Sequence, residues 1–138
     1  MTRAYIFDLD DTLLDSTSFT IPEKTLTMLA RLKHANHPMA IISFNRSARR
    51  IIEYFGLSDY FECIVCDLGD RHELYEEALG QIITNLAKTG KEVDRVFYFD
   101  DVRSNIREVE DYHNNSKYKQ IELRCIHVKD VNKLYKQV

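Results

Sequence analysis

The chain has 138 residues, of which 44% are hydrophobic and 30% are charged, and its formal net charge is −3. This length and composition suit a single globular domain over residues 1–138 and leave no room for a second one. The slightly acidic balance disfavours binding to duplex nucleic acid through bulk electrostatics. The sequence contains neither a signal-peptide pattern nor an apolar run of about 18 residues, so we expect a cytoplasmic protein with no membrane partner.

Five apolar runs rich in β-branched and aromatic residues predict strands, and amphipathic stretches between them predict helices. The predicted strands cover about residues 4–7, 39–42, 61–66, 96–99 and 121–128. The predicted helices run from Pro22 toward His34, from Ser47 to Phe55, from about Leu74 to Gly90, from about Ser104 to Tyr112 and from Asp130 to Lys136. We predict a polar surface loop over residues 113–117.

The alternation of strands and helices predicts an α/β fold in which helices cover both faces of a mostly parallel, five-stranded sheet. This is a three-layer, doubly wound, Rossmann-like arrangement. In such sheets, ligands bind beyond the carboxyl ends of the strands, where the strand order reverses. Polar side chains follow four of the five predicted strands, at Asp8, Ser43, Asp67 and the pair Asp100 and Asp101. We therefore expect a functional site at this edge of the sheet.

The first strand end carries three carboxylates within residues 7–13, whose sequence is FDLDDTL. Asp8, Asp10 and Asp11 repel one another when crowded, so a bound cation or a phosphate reaction is a physical reason to keep them together. A turn with solvated carboxylates is the alternative interpretation. The pattern Asp-x-Asp-x-Thr, directly after a short hydrophobic strand, resembles the first motif of the haloacid dehalogenase (HAD) superfamily of phosphohydrolases.

Two further segments extend this resemblance along nearly the whole chain. Residues 98–106, YFDDVRSNI, resemble the fourth HAD motif in the form found in capless magnesium-dependent phosphatases. An adjacent Asp pair can instead cap a helix. Ser43, which closes the apolar run MAIIS, is similar to the second HAD motif, although a serine after a strand is commonly a cap.

The resemblance implies catalytic and metal-binding roles for four aspartates. Asp8 is the nucleophile, and its second oxygen contacts Mg²⁺. Asp10 protonates the leaving alcohol and later activates water, and its backbone carbonyl is a metal ligand. Asp101 is the direct or nearest metal carboxylate and Asp100 is its neighbour, although the sequence does not rank the two. Asn105 is expected to support their loop.

Phosphate binding is implied for the second and third motifs. The Ser43 hydroxyl hydrogen-bonds the phosphoryl group, and we assign Phe44 and Asn45, which follow it, to the same site. HAD members usually supply a lysine after the third strand, but residues 67–72 of this chain, DLGDRH, contain none. Arg71 is nearest to the expected position and is predicted to offer phosphate a bidentate cation, although a guanidinium does not simply replace an ammonium.

Three arginines, Arg46, Arg71 and Arg103, lie at or just before predicted helix starts. A cation is mildly unfavourable there because the helix dipole is already positive. We expect the three side chains to project from the acidic edge and, with the free helix amides, to form a phosphate-receiving rim. Solvated arginines that reach away into water are the alternative.

The expected function is that of a magnesium-dependent phosphomonoesterase that works through an aspartyl-phosphate. Between Asp8 and Ser43 there is space for one helix and a small flap over residues 16–20, so no cap domain is expected. An open site implies a large phosphorylated partner, such as a phosphoprotein or a nucleic-acid end, although some similar capless members take phosphosugars. The alternative is a phosphate-binding or regulatory HAD-like protein with weak or no turnover, because the usual lysine is absent.

Overall fold

The computed structural model describes residues 2–138, and within this range the chain forms five strands, four α-helices and two short 3-10 helices. The strands are β1 (Thr2–Phe7), β2 (Met39–Ser43), β3 (Cys63–Cys66), β4 (Val93–Asp100) and β5 (Glu122–His127). The α-helices are α1 (Glu23–His34), α2 (Ala48–Tyr54), α3 (Arg71–Ala87) and α4 (Arg103–Asn114). The 3-10 helices cover Ser58–Tyr60 and Val131–Gln137.

The strands form one sheet in the order β3-β2-β1-β4-β5, and all neighbouring strands are parallel. From β1 the chain winds outward to β3, and it then returns to β4 on the other side of β1. The order therefore reverses between β1 and β4, whose carboxyl ends lie side by side with Phe7 opposite Phe99. This arrangement confirms the predicted doubly wound α/β fold and places its switch point where Asp8 and Asp100 leave the sheet.

Two buried clusters cover the two faces of the sheet. Successive residues of β1 point to opposite faces, so Phe7 joins one cluster and Ile6 joins the other. The Phe7 side is packed by α1, α2 and the last 3-10 helix, whereas the Ile6 side is packed by α3 and α4. Strands buried on both faces need nearly continuous apolar sequence, which explains why the strand predictions were clear.

Stacked aromatic rings join β1 to β4 on the Phe7 side of the sheet. Tyr5 and Phe97 are cross-strand partners with ring centroids 5.0 Å apart, and Phe7 and Phe99 are partners at 4.8 Å. Both pairs are close to coplanar, with interplanar angles of 14° and 19°. We call these four residues the aromatic ladder. Such pairs stabilise a sheet and fix the register of its strands.

The structure corrects two local predictions. Residues 113–117 were expected to form a surface loop, but His113 belongs to the last turn of α4 and is buried. Its ring lies between the Tyr75 hydroxyl, at 2.8 Å, and the Ile121 carbonyl, at 2.7 Å. These two partners satisfy both ring nitrogens, so the polar ring can be buried. The last predicted helix is also present, but as a 3-10 helix.

The connections after β1 and β3 contain 15 and four residues. The first contains a small flap in which Asp15 and Thr20 form an isolated bridge, and the second covers only residues 67–70. Neither connection contains a cap domain, as expected. A membrane span requires a long apolar helix, and no helix within residues 2–138 meets that requirement.

Candidate active site

Three carboxylates converge where β1 and β4 end. Asp8 directly follows β1, Asp100 is the last residue of β4, and Asp101 comes next. One oxygen from each lies within 4.8 Å of the others. Asp8 is only 6% exposed and Asp100 is fully buried. The fold thus brings together the first and fourth sequence motifs, which are about 90 residues apart in the chain.

Thr12 connects two of these carboxylates. Its hydroxyl oxygen lies 3.2 Å from Oδ2 of Asp8 and 3.4 Å from Oδ1 of Asp101, and the side chain is fully buried. The chain turns back toward Asp8 through Asp11, whose φ of 61° lies in the left-handed region that aspartate tolerates better than most residues. Thr12 belongs to the first sequence motif, which does not by itself indicate a role for this residue. Its position indicates that it orients the Asp8 carboxylate.

Asp100 is held by donors on both of its oxygens. The Tyr98 hydroxyl donates to Oδ2, while the Val102 amide, at 2.9 Å, and the Asn105 side-chain amide, at 3.4 Å, donate to Oδ1. Asn105 therefore supports the loop as expected, whereas Tyr98 was missed. The available signal was its spacing, because a residue two positions before Asp100 in a strand projects from the same face.

Arg71 is the first residue of α3, and its buried side chain extends to the three carboxylates. Its Nη2 lies 3.2 Å from Oδ1 of Asp8 and its Nε lies 3.7 Å from Oδ2 of Asp100. Nη1 donates to the Ile42 carbonyl at 3.0 Å. The Phe44 ring covers the guanidinium, with 4.2 Å between its centroid and Cζ. Arg71 is therefore the cation paired with the carboxylates.

Arg71 lies at the acidic edge as predicted, but it does not form part of a solvent-facing rim, because its side chain is only 3% exposed. The short connection after β3 starts α3 directly beside the sheet edge, where two buried carboxylates attract its first side chain more strongly than water does. Arg46 and Arg103 are exposed, and Arg46 lies 3.7 Å from Asp67. The three arginines therefore do not form one continuous rim.

The electrostatics of the cluster favour an additional cation. Burial raises the pKa of the Asp8 carboxyl well above its usual range, the Asp100 carboxylate raises it further, and Arg71 only partly opposes the rise. Burial also raises the pKa of Asp100, against the lowering effects of Arg71 and of the hydrogen bonds from Tyr98, Val102 and Asn105. One guanidinium faces three carboxylates, and their oxygens are the hard ligands that Mg²⁺ prefers. The residues present therefore fit Mg²⁺.

The end of β2 brings the phosphate-binding candidates next to Asp10. The Asn45 side-chain amide donates to Oδ2 of Asp10 at 3.3 Å, and the Asn45 backbone amide donates to Oγ of Ser43 at 3.0 Å. The Ser43 oxygen is thus an acceptor for this amide, and its own hydrogen stays available for a ligand. Phe44 lies between Ser43 and Asn45 in the sequence. Its ring packs against the Arg71 guanidinium, and the residue is 37% exposed. The Asp10 carboxylate is not part of the three-carboxylate cluster.

A second group of metal-type side chains lies at the start of α3. It contains Asp70, His72 and Glu73, and the two carboxylates are exposed. Nδ1 of His72 lies 2.8 Å from a Glu108 oxygen, and this hydrogen bond, the largest cause, raises the pKa of the imidazole. A raised pKa favours the protonated imidazole, which does not bind a metal, and Glu108 already pairs with Nδ1, so this group is a weaker metal site than the buried one.

A family model for haloacid dehalogenase-like hydrolases matches residues 5–136, so the chain belongs to this family and is a HAD-like hydrolase. No curated protein sequence gives a significant match. Solved structures share the fold. A HAD-superfamily hydrolase of subfamily IA, variant 1, from Geobacter sulfurreducens PCA has a TM-score of 0.66 and 10% identity, with full coverage of both chains.

Two other solved structures are similar. A HAD-superfamily hydrolase from Ehrlichia chaffeensis has a TM-score of 0.59 and 21% identity, and the match covers 94% of the present chain but only 62% of the Ehrlichia protein. The core domain of a candidate phosphoglycolate phosphatase from Streptococcus pneumoniae TIGR4 has a TM-score of 0.55 and 16% identity, covering 100% and 98% of the two chains. At these identities, the likeness shows a shared fold.

Proposed function

We propose that this hydrolase is a Mg²⁺-dependent phosphomonoesterase that forms an aspartyl-phosphate on Asp8. The observation that carries the proposal is the cluster of Asp8, Asp100 and Asp101 at the switch point of the sheet, with oxygens within 4.8 Å of one another. The buried Arg71 guanidinium lies beside it. Such a concentration of charge is unfavourable unless it serves a cation and a phosphate.

We assign Asp8 and Asp101 as the carboxylate ligands for Mg²⁺, because Asp100 is the most heavily hydrogen-bonded of the three carboxylates, with one protein donor on Oδ2 and two on Oδ1. Asp100 adds negative charge and holds the loop in place. The resemblance adds the backbone carbonyl of Asp10. When bound, Mg²⁺ neutralises part of the charge of the carboxylates and of the phosphate, so that an anionic nucleophile can approach an anionic substrate.

The reaction then has two steps carried by two side chains. One oxygen of Asp8 attacks phosphorus, the bond from phosphorus to the leaving oxygen breaks, and the Asp10 carboxyl gives that oxygen its proton. In the second step the Asp10 carboxylate takes a proton from water, the water oxygen attacks phosphorus, and Asp8 is released with inorganic phosphate. The hydrogen bond from Asn45 holds the Asp10 carboxylate in position. The Ser43 hydroxyl and the remaining Arg71 N–H groups bind the phosphoryl oxygens.

The substrate class that we propose is a large phosphorylated molecule, such as a phosphoprotein or a nucleic-acid end, with phosphosugars as smaller candidates. The lack of a cap domain in the connections after β1 and β3 supports this proposal. We expect Mg²⁺-dependent hydrolysis of p-nitrophenyl phosphate, and no hydrolysis after chelation with EDTA. Equal rates with Mg²⁺ and with EDTA would contradict a metal-dependent mechanism. A panel of phosphorylated peptides, oligonucleotides and sugars then ranks the substrates by kcat/KM.

Mg²⁺ is also expected to stabilise the folded protein, and to do so more at pH 7.5 than at pH 5. The folded-state pKa values of Asp8 and Asp100 are raised above their ordinary value of 3.8. The native state therefore binds more protons than the unfolded state as these groups titrate, and the metal-free protein loses stability as pH rises. A metal that binds the ionised form reverses this loss, and the gain is about 3 kcal/mol at one hundred times the dissociation constant.

Thermal unfolding with and without Mg²⁺ at the two pH values measures this effect. The variant Asp101→Asn removes one carboxylate and is expected to weaken the Mg²⁺-induced rise in Tm. Asp59→Asn makes the same chemical change at an exposed position and is expected to keep the full rise. If Asp101→Asn retains the full rise, the metal binds elsewhere.

The second candidate function is a phosphate-binding or regulatory module with weak or no turnover. One observation favours it, because Arg71 is already committed to Asp8 and to the Ile42 carbonyl, and Phe44 covers it. Such a cation has fewer free N–H groups with which to stabilise the negative charge of a phosphoryl group during its transfer. A module of this kind binds inorganic phosphate in a calorimetric titration, but it releases little or no product from aryl phosphates.

A further inference from the structure

A cavity of about 500 Å³ lies between α1 and the last 3-10 helix, on the opposite face of the sheet from α3 and α4. Its floor is formed by the buried side chains of Tyr5, Met28 and Leu32. None of the candidate active-site residues lines it. Its volume is within the range of about 300–1,000 Å³ that small-molecule sites occupy, and its apolar floor is typical of them.

The rim of the cavity is cationic. Lys24 and Arg31 line it from α1, and no Asp or Glu side chain does. The two positions are seven residues apart, which places them on one face of the helix about 10 Å apart along its axis. Neither cation lies within 4.0 Å of a carboxylate of residues 2–138. An unneutralised pair of cations beside an apolar floor selects for an anion.

The two cations differ in their protein contacts. The Lys24 ammonium donates to the Tyr135 hydroxyl at 3.2 Å and lies 4.7 Å from the centroid of that ring, so it ties α1 to the last 3-10 helix. The Arg31 side chain makes no hydrogen bond with the described part of the chain, and it is exposed at the cavity. The N–H donors of the Arg31 guanidinium are therefore free to bind a ligand in the cavity.

Tyr5 provides an independent sign of a ligand site. The residue is 5% exposed, yet its hydroxyl has no hydrogen-bond partner between Thr2 and Val138. Buried tyrosine hydroxyls usually have one. Tyr5 lines the cavity, and its hydroxyl is not sealed from solvent, so a ligand in the cavity can supply the missing partner. The Tyr5 ring centroid lies 5.5 Å from that of His37. His37 follows the carboxyl end of α1, and Arg31 lies in the last turn of that helix.

We propose that this cavity binds a small organic anion with an apolar body. The anionic group, a carboxylate, sulfonate or phosphate, pairs with Arg31 and accepts a hydrogen bond from the Tyr5 hydroxyl. The apolar body lies on Met28 and Leu32, beside the Tyr135 ring. A cation is excluded by Lys24 and Arg31, and an uncharged apolar ligand would leave the guanidinium and the Tyr5 hydroxyl without partners. This site is separate from the proposed phosphatase centre and does not depend on it.

The probe for a test is 8-anilinonaphthalene-1-sulfonate (ANS), an aromatic sulfonate whose fluorescence rises in apolar surroundings. We expect saturable binding of one ANS to the full chain. Arg31→Glu is expected to weaken it about tenfold or more, because a charge-assisted hydrogen bond is lost. Tyr5→Phe removes only a hydroxyl and is expected to weaken it about threefold. Lys119→Glu is the control, because it reverses a charge at an exposed position away from the cavity and should leave the affinity unchanged.

Amide chemical-shift changes on ANS addition give the location independently of affinity. We expect them to concentrate in α1 and in residues 131–138. Circular dichroism confirms that each variant is folded before binding is compared. The proposal is overturned if ANS does not bind saturably, if Arg31→Glu binds it as well as the original chain, or if the shifts concentrate at another surface, such as the exposed rings of Phe19 and Tyr54.

Discussion

Asp8→Asn is expected to lower kcat for an aryl phosphate by a factor on the order of 10³ or more. An amide oxygen is a poor nucleophile toward phosphorus, so the first step of the proposed reaction does not proceed. The melting temperature of the metal-free protein should stay the same or rise. The substitution removes a buried carboxylate whose raised pKa shows that its ionised form is disfavoured, while the amide oxygen can still accept from Arg71.

The combination of lost activity and retained stability distinguishes chemistry from folding. Steady-state kinetics and thermal unfolding of the same preparation measure both. Asp59→Asn, at an exposed position, serves again as the control and should change neither quantity appreciably. An Asp8→Asn variant that keeps full activity would rule out the aspartyl-phosphate mechanism, whatever its melting temperature.

Removal of the charge at Arg71 is expected to have the largest effect on stability. Arg71→Met leaves the carboxylates of Asp8 and Asp100 buried without their paired cation, which is expected to destabilise the metal-free protein by about 3–5 kcal/mol at neutral pH. Lower pH should recover part of this loss because the two carboxyls then become protonated. Urea unfolding at pH 5 and pH 7.5 measures it, with the exposed Arg107→Met as the matched control.

Arg71→Lys keeps the charge and separates the two candidate functions. Lysine loses the hydrogen bond to the Ile42 carbonyl and the stacking on Phe44, so the phosphatase proposal predicts a lower kcat/KM, by about tenfold or more. A large increase instead would mean that the guanidinium restrains turnover, and it would favour the regulatory module. The free energy of unfolding of Arg71→Lys at pH 5 is the control. If it is unchanged, the lysine side chain fits the space that Arg71 occupies.

The sequence was sufficient to predict the fold because β2 and the carboxyl-terminal halves of β1 and β4 are largely buried and form apolar runs. It also predicted that Asp8, Asp100 and Asp101 come together, since parallel strands deliver their carboxyl ends to one edge. The strand order was not available from the same signals. It depends on the pairing of β1 with β4, which involves residues more than 90 positions apart.

The misplaced residues show what sequence patterns leave out. Arg71 follows a strand and opens a helix, which are features of an exposed residue, and only the short connection of residues 67–70 turns it inward. His113 lies in a polar stretch, and its burial depends on Tyr75, which is 38 residues away, and on the carbonyl of Ile121, eight residues later in the next connection. Tertiary partners decided both outcomes, as is common for polar groups that are satisfied only in the folded state.

The aromatic ladder couples the spacing of the carboxylates in the acidic cluster to side chains that lie outside the cluster. Asp8 and Asp100 each stand one residue beyond a stacked ring of the pair Phe7 and Phe99. A shift of about half an ångström between these rings would pass directly to the spacing of the carboxylates, and reactions at phosphorus tolerate little misplacement. Under the proposed mechanism, substitutions within the hydrophobic interior are therefore expected to change the rate, while the groups proposed to contact phosphate stay the same.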